Sequence, residues 1–162
     1  PPDNGVGVFG FISAMFMHGS WMHLLGNMWF LWVFGDNVED AMGSVRFLKF
    51  YIICGIIASL SHFLINLSSP VPMVGASGAI FGVLAAFAVV YPNLPLYIMF
   101  IPIPIKAKYL IGGYFLINVY SAVTGATLLG PSNTAYWAHI GGAVIGFITM
   151  YYWKKNQFNR WN

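Results

Sequence analysis

No Asp, Glu, Lys or Arg stands between Lys49 and Lys106, and none between Lys108 and Lys154. A chain with such charge-free, apolar runs cannot solvate its own surface in water. Of its 162 residues 59% are hydrophobic and 7% charged, and mean hydropathy is +0.73; soluble domains carry about 25% charged residues. The chain is expected to live in a bilayer. A helical span needs about 20 mainly apolar residues. That length picks out five segments, roughly 19–35, 46–66, 77–92, 105–123 and 137–153, and one all-α bundle.

The few charges set the orientation. Arg46, Lys49, Lys106, Lys108, Lys154, Lys155 and Arg160 all fall on one side of a five-span topology, and basic loops face the cytoplasm. Their placement beside the spans argues for a lipid bilayer as partner and against nucleic acid. Residues 1–17 are expected to form the end of an outer loop, 34–44 (FGDNVEDAMGS) a solvated cytoplasmic turn, and 154–162 a cytoplasmic tail. The outer loops are 67–76 and 124–136, and four prolines in 91–106 predict an irregular or interfacial connection. Five spans with an outward start suggest a missing earlier span. Cys54, the single cysteine, excludes a disulfide framework and reads as a small buried side chain.

Strongly polar side chains are expensive inside a bilayer, so each is a functional candidate. His23 and Asn27 stand four apart on one helical face. Ser77 opens the third span and His139 lies in the first turn of the fifth. All lie within about two turns, roughly 0–12 Å, of the outer helix ends, so they share one layer. Small-residue stripes bring the third and fifth spans together: Gly78 and Gly82 beside the serine, Gly142 and Gly146 beside the histidine.

Serine needs a base within hydrogen-bond reach to become a nucleophile, and His139 is the candidate. The acids, Asp3, Asp36, Glu39 and Asp40, lie at other depths, which predicts a dyad without a carboxylate. Asn27, His23 and the helix start at Ser77 can donate hydrogen bonds to an oxyanion, while Gly75 and Gly78 let a substrate backbone approach. The alternative for His23 and Asn27 is a hydrogen bond holding helices together. His18, five residues before His23, lacks the i, i+4 spacing of a helical zinc site and reads as a loop histidine; His62 reads as interfacial.

The motifs HGSWMHLLGN (18–27), VEDAMG (38–43), GASG (75–78) and AHIGG (138–142), in this order, resemble the rhomboid intramembrane serine proteases. The resemblance implies a six-helix core whose first helix is absent here, with residues 1–162 as one rhomboid-like domain. It implies Ser77 as nucleophile, His139 as general base, an oxyanion hole of His23, Asn27 and the Ser77 N–H, and Gly75, Gly78 and Gly142 as structural residues near the site. It implies that Glu39 and Gly43 stabilise the cytoplasmic turn, and that Phe81 is the aromatic beside the histidine. A Trp-Arg pair frequent in the family is replaced by Phe9-Gly10 or thereabouts. The implied activity is cleavage of single-span membrane proteins near the outer end of their transmembrane segment, with no cofactor or metal. The expected location is a bacterial plasma membrane with the site toward the outer face. The alternatives are a non-catalytic rhomboid-like protein that binds or escorts membrane clients, and a haem or metal carrier using the four histidines.

Overall fold

The structure is a computed structural model, and it describes residues 9, 12–13, 15–66, 75–129 and 134–158. The expected outer loops at 1–17 and 67–76 lie largely outside the described residues, as do positions 130–133 and 159–162.

The fold is mostly helical. A first rod runs through α1 (Trp21–Phe30), a π-helical turn (Leu31–Gly35) and α2 (Asp36–Met42). It is followed by α3 (Ser44–Ile65), α4 (Ser77–Val90), a two-stranded ribbon of β1 (Pro95–Tyr97) and β2 (Pro104–Lys106), α5 (Ala107–Thr124) and α6 (Tyr136–Phe158). Each of the five apolar segments coincides with a helix. By length and composition α3 is the one helix among the described residues that is long and apolar enough to cross a membrane, and α4 is apolar but shorter.

The stretch 34–44 departs from expectation. The first helix does not give way to a turn at Phe34 but continues to Met42. No proline stands between Trp21 and Gly43, and Gly35 keeps a helical φ of −65° and ψ of −42°, so nothing before Gly43 breaks the rod. Gly43 ends it with φ +86°, which costs a residue without a Cβ little, and its N–H donates to Glu39 O at 2.7 Å.

The proline-rich connection is not wholly irregular either. Its two strands pair antiparallel, Pro95 with Lys106 and Tyr97 with Pro104, and the ribbon carries a tip at Phe100, which is 96% exposed with φ +66°. A ribbon of this kind tolerates proline because each strand has an edge that needs no N–H donor.

Helix α4 is the centre of the molecule. Every residue from Gly78 to Phe87 is buried, enclosed by α3, α5, α6 and the first rod. Its 14 residues reach about 21 Å, short of the roughly 30 Å of a hydrocarbon core.

The closest packing joins α4, α6 and α3, and it is made by the small residues. A Cβ on Gly142 or Gly146 would run into the Gly78 or Gly82 backbone, and one on Gly78 would stand 2.5 Å from Ala58 Cβ. Cys54 is fully buried against Gly82, where a Cβ would come within 2.6 Å of its sulfur. The two helices that carry Ser77 and His139 are thus packed main chain to main chain.

Candidate active site

Ser77 is the first residue of α4, with Ala76 as its N-cap. The chain enters this helix through Gly75 at φ +110°, where a Cβ would lie 2.6 Å from His23 Cε1 and 2.8 Å from Nε2. Only glycine fits both the backbone conformation and the space.

On the facing rod, Ser20 caps α1 by accepting the His23 N–H at 3.1 Å, which fixes the turn that carries His23. Asn27 follows one turn later. It is buried, and its Nδ2 has no hydrogen-bond partner in the structure. That amide nitrogen would stand 3.5 Å from a Cβ at Gly75, so His23, Asn27 and the start of α4 border one small space.

His139 lies in the first turn of α6 and is 6% exposed. Its Nε2 is 3.0 Å from Ser77 Oγ. Its Nδ1 is 2.7 Å from Asn118 Oδ1, on α5, while Asn118 Nδ2 donates to Tyr114 O at 2.9 Å. The last bond decides the tautomer. With the amide N–H₂ committed to a carbonyl, the Asn118 oxygen is left as an acceptor, so Nδ1 carries the imidazole proton and Nε2 is free to accept from the serine hydroxyl. Phe81 covers one face of the imidazole, with ring centroids 4.2 Å apart and planes at 10°, and Tyr114 packs against Phe81 in turn.

The sequence-selected residues therefore come together: Ser77 with His139, and His23, Asn27 and Gly75 beside them. Gly78 and Gly142 sit in the α4–α6 contact directly below. His18 precedes α1 outside any helix, as expected, yet its ring meets His23 edge-on at 5.2 Å and so borders the site. His62 lies apart, with Asn66 as its neighbour. Among the described residues no three of His, Cys, Asp and Glu gather closely enough to hold a metal ion.

Asn118 was missed by sequence reasoning. The signal was available: it is a strongly polar residue in FLINVYS, within two turns of the outer end of its span. The rule that singled out Asn27 applies to it equally. In a Ser-His-Asp triad a carboxylate holds the histidine; here an amide oxygen stands in that place.

The Rhomboid domain family model matches residues 6–156. Among curated proteins the chain is 32% identical over 151 residues to Rhomboid protein 1, mitochondrial, of Saccharomyces cerevisiae, covering 89% of this chain and 41% of that protein. It is 30% identical over 153 residues to the mouse Presenilin-associated rhomboid-like protein, mitochondrial, covering 90% of this chain and 40% of the relative. Rhomboid-like protein 11, chloroplastic, of Arabidopsis thaliana is 29% identical over 150 residues, with 91% and 53% covered. The chain thus spans about two fifths to one half of these relatives. Their names are mitochondrial and chloroplastic, and the expected bacterial plasma membrane finds no support in them.

Proposed function

This chain belongs to the rhomboid family, and from that membership and the site's geometry we propose that it is an intramembrane serine endopeptidase acting on single-span membrane proteins. In this reading residues 1–162 belong to one transmembrane domain with five spans, and Ser77 and His139 lie toward its outer face. The observation that carries it is the 3.0 Å approach of His139 Nε2 to Ser77 Oγ at the start of a buried helix.

The chemistry follows from those atoms. Ser77 Oγ attacks the scissile carbonyl carbon as its proton passes to His139 Nε2. The carbonyl oxygen becomes an oxyanion in the space bordered by Asn27 Nδ2, His23 and the Ser77 N–H, where the α4 dipole is positive. One such donor is worth about 2.7–4 kcal/mol. The C–N bond breaks as His139 returns the proton to the leaving amine, and the acyl group stays on Ser77. Water then attacks the ester, again with His139 as base, releasing the acid and restoring the hydroxyl. The shortness of α4 relative to the hydrocarbon thickness supports a recessed N-terminus, and with it a cut near the outer end of a substrate's transmembrane segment.

The test is cleavage of a single-span substrate by the complete protein in proteoliposomes, with fluorophosphonate labelling alongside. Wild type should cleave and label, and Ser77→Ala and His139→Ala should each lose at least about 10³-fold in kcat. Equal labelling of Ser77→Ala, or only a few-fold loss in either variant, would reject the assignment. A protein that binds clients without cutting them would neither label nor cleave.

A further inference from the structure

Two adjoining cavities follow the side of α4 between α5 and α6. The first, about 370 Å³, is floored by Phe81, Leu84 and Ala85 and has Lys108 at one end. The second, about 400 Å³, is lined by Tyr151, Lys154 and Lys155. Both include Ala88, Val89 and Phe147, so they form one groove. From Phe81 to Val89 it runs roughly 12 Å along α4.

The groove has a polarity. Its floor is buried, while Val144, Phe147 and Ile148 on one wall are 44–52% exposed. Its polar end is cationic. Lys154 Nζ donates to Val89 O at 2.8 Å, which holds that ammonium at the mouth, and Lys108 lies at the start of α5 at the same end of the bundle. At the far end the groove stops on Phe81, whose ring also stacks on His139.

We propose that this groove binds one anionic phospholipid, its acyl chain lying along Val89 and Ala85 toward Phe81 and its phosphate held by Lys108, Lys154 and Lys155. The inference rests on the membrane placement given above but not on the peptidase chemistry. Charge decides the occupant. A zwitterionic lipid would fill the apolar part without net charge for the three ammonium groups, and an apolar helix would leave them uncompensated; a basic pocket between helices at the cytoplasmic side suits an anionic headgroup.

The complete protein, extracted in mild detergent and stripped of lipid, is titrated with palmitoyl-oleoyl phosphatidylglycerol or with the same-chain phosphatidylcholine, and bound lipid is counted by native mass spectrometry. One phosphatidylglycerol should bind about tenfold or more tightly than phosphatidylcholine. Combined Lys108→Gln, Lys154→Gln and Lys155→Gln should abolish that preference. Gly112→Phe should block both lipids, since Gly112 lines the groove and a Cβ there meets nothing within 4 Å. Equal affinity for the two lipids, or full lipid binding by Gly112→Phe, would overturn the site. Either result in a protein that still labels with fluorophosphonate leaves the peptidase reading standing, and a normal lipid preference without labelling separates the two in the other direction.

Discussion

Asn118 Oδ1 lies 2.7 Å from His139 Nδ1 and is turned toward it by its own bond to Tyr114 O. The imidazole is therefore held from behind by α5 while it faces Ser77 on α4. Three separate helices meet in one chain of hydrogen bonds.

Asn118→Ala removes the acceptor and leaves a buried N–H unpaired, a cost of about 1–3 kcal/mol. We expect kcat on a single-span substrate to fall by roughly 10- to 100-fold, with KM little changed and a lower thermal midpoint. Asn118→Asp keeps the acceptor and should retain more activity than the alanine variant. Steady-state kinetics and thermal unfolding in the same detergent check both points, and an alanine variant with wild-type kcat would contradict the positioning role.

Asn27 presents the opposite balance between stability and activity. Its Nδ2 is buried without a partner, so Asn27→Leu relieves an unsatisfied donor. The variant should unfold at an equal or higher temperature while losing about 10²-fold in kcat. A large drop in stability would instead mark Asn27 as a helix-to-helix tie.

Gly75→Ala places a methyl group against His23 in a backbone conformation that costs a residue with a side chain about 1–2 kcal/mol. Activity should fall further than stability, because the displaced groups border the proposed oxyanion space. Fluorophosphonate labelling kinetics, compared with the unfolding midpoint, separate the two effects.

Gly142→Ala drives a methyl group into the Gly78 carbonyl, and overpacking of this kind costs about 1–3 kcal/mol. The variant should be less stable and should label slowly, since the collision pushes apart the helices bearing Ser77 and His139. Gly113→Ala, where a Cβ meets nothing within 4 Å, should be neutral or slightly stabilising. Parallel melting curves of the two proteins provide the comparison.

The grouping of the candidate residues was more legible in the sequence than the connections were. Ser77, His139, His23 and Asn27 declared themselves because a polar side chain in an apolar helix must be justified, and the Gly78–Gly82 and Gly142–Gly146 spacings indicated which helices touch. Asn118 escaped because no neighbouring motif drew attention to it, although its chemistry was equally conspicuous. The extension of the first rod to Met42 was hidden for another reason. Asp36, Glu39 and Asp40 suit a solvated turn and a solvated helix end alike, and composition does not separate them. The ribbon at Pro95–Lys106 depends on long-range pairing, which four prolines in sequence rule neither in nor out.

The glycine contact between α4 and α6 has a mechanical consequence. At Gly78, Gly82, Gly142 and Gly146 backbone meets backbone with no side chain between, so under the proposed membrane placement the two helices are expected to tilt or shift as one body when a bilayer thins or thickens around them. Hydroxyl and imidazole would then ride on that body together, their separation insulated from the deformations of the surrounding lipid.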